Sequence, residues 1–187
     1  MSEYRASLNW KRDRDDLKYA TYTRDHTWSF HEGESVPVSS APEFPGNAER
    51  VDSEETFVAA ISACHVLTFR AVAAKHRFVV VADSDTAVGY TKMNSEGRLA
   101  ITLVELRPEI AFSGEMLPTP EQIDSMDQLS HQECFIANSV NSEIVVVPVT
   151  PEGRLTIRPR VDTNRPLRPL VVDAGSWPQD IKAYEPS

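Results

Sequence analysis

Apolar residues between positions 52 and 76 do not follow one side of the chain; they cover nearly every face of a helical stretch. Between Glu55 and Lys75 the only charged residue is Arg70. Asp52 with Glu55 three residues later is a capping-box arrangement, which predicts where the helix begins. A helix without a clear polar face is usually buried in a core or an interface. The pattern predicts a long buried helix up to His76.

Strands are predicted on both sides of this helix, from alternation of apolar and polar residues and from β-branched runs. They are expected at 4–10, 17–23 and 27–30 before the helix, and at 78–82, 87–93, 99–106 and 144–149 after it. Prolines and glycines in 32–50 predict an irregular loop. Residues 110–112 are expected to continue the preceding strand past a bulge at Pro108.

A second helix is predicted to open at Thr119, with Gln122 completing a capping box. Ile123, Met126 and Leu129 have helical spacing, and the helix runs toward the second cysteine of the chain. Strands, long helix, strands, helix and strand in this order predict an α+β fold with a mainly antiparallel sheet. Such a sheet cannot cover every side of the long helix. We therefore expect a homodimer that wraps two subunits around paired helices.

The chain has 187 residues, which suits one domain with an appendage. We predict a folded domain over 1–150 and a Pro-rich C-terminal extension over 151–187. The net charge of −9 argues against binding to nucleic-acid phosphates and to an anionic membrane surface. Arg70, His65 and Ser62 make the long helix a poor membrane span, and no signal peptide is evident. A cytoplasmic location is the expectation.

The two cysteines, Cys64 and Cys134, carry the candidate chemistry. A free cysteine is commonly a small buried apolar residue, and either one could be only that. Only His131 has ligand-like spacing to Cys134, and a zinc site needs three or four ligands, so neither metal nor cofactor is expected. His65 follows Cys64 but points about 100° away round the helix, which makes it a poor catalytic partner.

Three segments together resemble the OsmC/Ohr family, the osmotically inducible and organic hydroperoxide resistance proteins. Residues 53–64, SEETFVAAISAC, resemble the family's Asn-Pro-Glu…Ala-Ala…Ala-Cys helix, and residues 130–134, SHQEC, resemble its Ala-His-x-x-Cys signature. Arg24 falls where the family carries an early arginine. The resemblance covers roughly residues 4–149. It implies an OsmC-like fold, with a mainly antiparallel sheet around a long central helix in an intertwined homodimer.

The resemblance implies a Cys-based peroxidase that reduces organic hydroperoxides to alcohols. Cys64 would be the peroxidatic thiolate and would become a sulfenic acid, which Cys134 would convert to a disulfide. A dithiol reductant of the lipoyl type would reset the pair by exchange. Arg24 would supply a permanent positive charge beside the thiolate, and Glu54 would hold its guanidinium by a bidentate pair.

The spacing of Glu54 and Cys64 constrains this arrangement. Ten residues of straight helix separate them by ~15 Å along the axis. Arg24 reaches both only if the first turn bends or if two subunits share the site, and we expect the second. Without the resemblance, Glu54 would be a helix-dipole carboxylate and Arg24 a solvated charge at a strand end.

Apolar side chains flank both thiols in the sequence, and they could line a pocket for alkyl or lipid hydroperoxides. They are Phe57, Phe135 and Ile136.

The chain departs from the better-known branches of the family at Ser53, His65 and Phe135, which indicates a divergent branch. Two other functions stay open: a small-molecule binding protein with redox-silent thiols, and a thiol sensor that forms the disulfide without turnover.

Overall fold

Two α-helices, two short 3-10 helices (His31–Gly33 and Ala137–Ser139) and four small sheets are the regular elements of the described residues. The computed structural model describes residues 2–147, 149–150 and 153–154. The α-helices are α1 (Ser53–Lys75) and α2 (Pro120–Glu133). The strands are β1 (Ser7–Asn9), β2 (His26–Ser29), β3 (Ser35–Val38), β4 (Val79–Asp85), β5 (Val88–Met93), β6 (Leu99–Leu106), β7 (Pro108–Ser113), β8 (Glu143–Val146), β9 (Val149–Thr150) and β10 (Gly153–Arg154).

The strand pairing is mainly antiparallel. β2 lies between β1 and β3, β4 pairs with β7, β5 pairs with β6, and β9 pairs with β10, all antiparallel. Only β8, which adds to the other edge of β6, is parallel among the described strand pairs. This architecture confirms the predicted α+β class with a mainly antiparallel sheet.

Three predicted local features are wrong. Residues 17–23 form a turn, in which the amides of Thr21 and Tyr22 both donate to the carbonyl of Lys18. The predicted loop 32–50 contains β3, where Pro37 is tolerated because β3 is the edge strand of its sheet. Pro108 does not mark a bulge; it is the first residue of β7, which pairs with β4.

Helix α1 begins and ends near the predicted residues. The Asp52 carboxylate accepts from the amide of Glu55 at 2.7 Å, and this bond fixes the helix start. The helix ends before Arg77, whose φ of 64° is left-handed. Arg70 is the one charged residue of the apolar stretch. Its side chain extends from α1 and forms a bidentate ion pair with Asp83 of β4, at 2.5 and 2.6 Å.

One side of α1 is covered within the chain and the other is open. Ile61, His65 and Phe69 are buried, whereas Leu67 is 60% exposed and Ala63 lies beside it on the open side. By length and composition alone α1 could cross a membrane, a property that core helices of soluble proteins share. The predicted dimer would cover this open side and stays a prediction.

Helix α1 contributes to two apolar clusters at different positions along its axis. The first contains Ile61 with residues of β6 and β8, and the second contains Phe69 with Met126 of α2. Cys64 and His65 lie on α1 between these clusters. The fold therefore holds the candidate thiol at a break in the apolar packing. The predicted extension 151–187 lies outside the described residues, except for the strand at 153–154.

Candidate active site

The fold brings the two cysteines together although 70 residues separate them in the sequence. Cys64 is half-buried near the middle of α1, and Cys134 is fully buried at the C-cap of α2. Both are free thiols. The side chain of Cys64 is close enough to that of Cys134 to influence its protonation. Proximity of the two side chains is a necessary condition for an intrachain disulfide.

The surroundings of Cys134 favour the protonated thiol. Burial, together with hydrogen bonding to Cys64, raises the pKa of Cys134 from 9.0 to about 11. The backbone amides of Ile136 and Ala137 act in the opposite direction, and the Ala137 amide donates to Cys134 Sγ at 3.4 Å. At neutral pH Cys134 is a thiol, so Cys64, the member of the pair that solvent reaches, is the one placed to react first.

The raised pKa of Cys134 predicts a loss of stability in alkali. Below pH 9 the thiol is protonated in both folded and unfolded chains, so it makes no difference to their balance. Between pH 9 and 11 the unfolded chain releases the proton while the folded chain retains it, and the free energy of unfolding falls by on the order of 2 kcal/mol. Urea unfolding of the reduced protein at pH 8 and pH 10.5 measures this fall.

Cys134→Ala is the matched control, because it removes the titrating group from the same buried position. It should lose less stability than the parent protein over this pH interval. An equal loss in both proteins would show that other groups cause the alkaline effect.

Arg24 is held in the turn that follows β1. Its guanidinium lies 4.2 Å from the ring centre of Tyr22 and 5.1 Å from that of Tyr19. It also donates to the carbonyl oxygens of both tyrosines, at 3.2 and 2.8 Å. These contacts pre-orient the group but leave it without a carboxylate partner in the described chain. Neighbouring Asp25 pairs instead with Arg50 at 2.9 Å.

Glu54 lies in the first turn of α1, exposed at the edge of a cleft of about 1230 Å³. The cleft runs along α1 past Val58 and Ser62 to Ala63 and Val66, the lining residues on either side of Cys64 in the sequence. Six carboxylate residues line it, and no Lys or Arg of the described chain does. The six are Glu43, Asp52, Glu54, Glu55, Asp83 and Asp85.

The single chain does not bring Arg24 to Glu54 or to Cys64. Helix α1 runs without interruption from Ser53, so the first turn is not bent toward Cys64. Glu54 and Cys64 therefore remain about 15 Å apart along the axis of α1. Of the four residues predicted to act in catalysis, one chain thus assembles the two cysteines, while Arg24 and Glu54 each lie apart.

Comparison with known proteins places the chain in a family. The sequence model of the family described as OsmC-like protein matches residues 46–148, more than half of the chain. This chain belongs to the OsmC-like family. The predicted resemblance is thereby confirmed. No curated protein matches the chain.

Solved structures agree with this assignment. An OsmC-like protein of unknown function from Vibrio cholerae is 42% identical, with a TM-score of 0.75, covering 80% of this chain and all of that one. An organic hydroperoxide resistance protein from Elizabethkingia anophelis, with thiocyanate bound, is 18% identical with a TM-score of 0.61 over 79% and 96% of the two chains. One from Legionella pneumophila is 16% identical, with a TM-score of 0.59 over 80% and 100%. These last two share the fold with this chain.

The three apolar residues predicted to line a pocket are split in this OsmC-like chain. Phe57 and Ile136 are half-buried and pack against the same cluster around Ile61 and Val104. Phe135 points outward and is 62% exposed. One chain therefore supplies two of the three to a common apolar surface, and the proposed pocket stays a prediction.

A buried polar layer beside the thiols was missed from the sequence. His65 Nε2 lies 2.8 Å from Asp127 Oδ1, and both side chains are nearly inaccessible to solvent. His131 follows Asp127 by one turn of α2; burial and the charge of His65 lower its pKa, while Asp127 opposes them. The described chain contains no group of three His, Cys, Asp or Glu residues arranged as a metal site.

The amino-acid sequence gives little indication of this buried polar layer. Asp127 follows Met126 on a helix whose apolar spacing was evident, but nothing local marks a buried aspartate. Its partner His65 is 62 residues away. The hydrogen bond of His65 goes to Asp127. That His65 is a poor catalytic partner for Cys64 stays a prediction.

Proposed function

We propose that this protein is a thiol-dependent peroxidase that reduces organic hydroperoxides to alcohols. The observation that carries the proposal is the pairing of half-buried Cys64 with fully buried, protonated Cys134. A peroxidase of this kind needs one thiol open to the oxidant and a second that is protected until the first is oxidised. Both are present on adjoining helices of one chain.

In the first step the Cys64 thiolate attacks the outer oxygen of the hydroperoxide. The S–O bond forms as the O–O bond breaks, the alkoxide leaves, and a proton converts it to the alcohol. Cys64 becomes a sulfenic acid and the peroxide is reduced by two electrons. A nearby cation would favour the thiolate and the departing alkoxide, which is the role proposed for Arg24.

In the second step Cys134 Sγ attacks the sulfur of the sulfenic acid. The S–S bond forms, the S–O bond breaks, and the hydroxyl leaves as water with the thiol proton of Cys134. The Ala137 amide at 3.4 Å from Cys134 Sγ, with that of Ile136, stabilises the negative charge that develops there. A dithiol reductant of the lipoyl type then exchanges with the disulfide and restores both thiols.

Arg24 is proposed to act from the other subunit of a homodimer. The cleft beside Glu54 is lined by six carboxylates, of which Asp83 is paired with Arg70, so this excess of negative charge would attract a further guanidinium. The open side of α1, with Leu67 and Ala63, also calls for cover by a second chain. An active site formed by residues of both subunits would explain why Arg24 and Glu54 lie apart in one chain.

The substrate class is proposed from the apolar surface around the thiols and from relatives of the same fold named for organic hydroperoxide resistance. Phe57 and Ile136 favour alkyl chains over hydrogen peroxide, with Phe135 joining them if the second subunit covers it. We place the reaction in the cytoplasm, where reduced dithiols are available.

Steady-state turnover tests this function. With dihydrolipoamide as reductant, the protein should consume cumene or tert-butyl hydroperoxide over many cycles, and should use hydrogen peroxide less efficiently. A single turnover that dihydrolipoamide does not renew would indicate a sensor. If no peroxide oxidises either thiol, the result would indicate a binding protein and overturn the proposal.

A further inference from the structure

The contacts between α1 and α2 form three layers, and the middle one is polar. Phe69 packs with Met126 at one end, and Cys64 adjoins Cys134 at the other. Because residue numbers fall along α1 as they rise along α2, the helices are antiparallel. Between the apolar contact and the thiols lies the hydrogen bond from His65 to Asp127.

This polar layer is buried and incompletely satisfied. His65 is 2% exposed and Asp127 is 5% exposed. An ionised carboxylate only accepts, so His65 Nε2 carries the proton of the 2.8 Å bond. Nδ1 of His65 and Nδ1 of His131 are buried without a hydrogen-bond partner among the described residues. Burying these groups opposes folding, so a core built for stability alone would favour apolar residues here.

A directional bond can do what apolar contacts cannot, namely fix one register between two helices. Sliding or turning α1 by one residue moves its side chains by 1.5 Å along the axis and 100° around it. A disulfide tolerates far less, since its Cβ atoms must lie about 3.5–4.5 Å apart. The bond between His65 and Asp127 is one residue from Cys64 on α1, so it sets the position at which that thiol meets Cys134.

We propose that His65 and Asp127 are positioning residues that hold Cys64 against Cys134 for the disulfide-forming step. The inference rests on the proposed peroxidase function and deepens it. Asp127 precedes Cys134 by two helical turns, roughly 10 Å, so it acts through the helix and not on the thiol itself. The oxidant is the organic hydroperoxide, and the bonds formed and broken are those of the second step above.

The consequence is a specific kinetic split. Loss of the pair should leave the reaction of Cys64 with peroxide intact, since that step needs no contact with Cys134. It should slow disulfide formation by about tenfold or more. The sulfenic acid would then persist, and excess peroxide would carry it on to sulfinic acid.

Stopped-flow kinetics with cumene hydroperoxide, combined with mass spectrometry of Cys64, separates the two steps. Asp127→Leu and His65→Leu, which each remove one partner of the bond, should oxidise Cys64 at nearly the parent rate, form the disulfide slowly and accumulate sulfinic acid. His65→Gln should restore the parent behaviour, because its amide nitrogen can occupy the place of Nε2 and donate to Asp127. This rescue distinguishes the bond from simple filling of space.

Two control variants complete the test. Asp124→Asn removes a carboxylate from the same helix outside the pair, and Phe69→Leu weakens the apolar contact between the helices. Both should form the disulfide at close to the parent rate. Parent-like disulfide formation in His65→Leu would overturn the inference, as would equal slowing by Phe69→Leu. If Cys64 of the unaltered protein does not react with peroxide at all, the proposed function fails first and this inference fails with it.

Discussion

Cys64→Ser is expected to abolish hydroperoxide turnover, with a loss of at least ~10³-fold, because a serine hydroxyl at neutral pH is not a comparable nucleophile. Cys64 is half-buried, and the hydroxyl is close to the thiol in size, so the fold should persist. The measurement is dihydrolipoamide-dependent consumption of cumene hydroperoxide under saturating reductant.

Cys134→Ser is the matched comparison for this variant. It should still consume about one equivalent of peroxide as Cys64 is oxidised, and should then stop or turn over slowly, because no partner closes the disulfide. If Cys64→Ser retains activity and Cys134→Ser loses the first oxidation, the two roles are reversed. That result would also contradict the protonated state assigned to Cys134.

Arg24→Ala should lower kcat/KM by about 10²–10³-fold, the range seen when one charge-stabilising donor is removed from an active site. Arg24→Lys should recover only part of this, because an ammonium cannot make a bidentate pair with Glu54. The sharper question is which subunit supplies the guanidinium, since the contacts of the Arg24 guanidinium in the described chain are with the tyrosines of its own turn.

Mixed dimers answer that question. Arg24→Ala and Cys64→Ser chains, each inactive alone, should regain activity when refolded together if Arg24 acts across the dimer. Half of the dimers would then be mixed and would carry one intact site, giving about one quarter of parent activity. If Arg24 serves its own chain, no mixed dimer has an intact site, and the mixture stays inactive. Gel filtration of the same samples reports whether dimers form.

Features specified by neighbouring residues could be predicted from the sequence. The Asp52 cap and the capping box of Thr119 with Gln122 depend on residues three apart, and both are present in the structure. The long α1 follows from an uninterrupted apolar run. Features that depend on distant pairing could not be predicted: β3 is identified as a strand only by its ladder with β2.

The candidate site divides in the same way. Residue pattern alone left Cys64 and Cys134 as two unrelated buried thiols, and only the family resemblance linked them before the structure placed them together. The pair of His65 and Asp127 had no such aid, because burial of an aspartate is set by tertiary packing that local sequence does not encode. Arg24 and Glu54 remain predictions because their proposed contact lies between chains.

The most direct test of the central claim is the fate of the two thiols after a single oxidation. The fully reduced protein, treated with one equivalent of cumene hydroperoxide and digested without reductant, should lose both free thiols. Mass spectrometry should then recover one peptide pair joined by a Cys64–Cys134 disulfide within a single chain. Two thiols that remain free, or a disulfide that links Cys64 of one subunit to Cys64 of the other, would contradict the account.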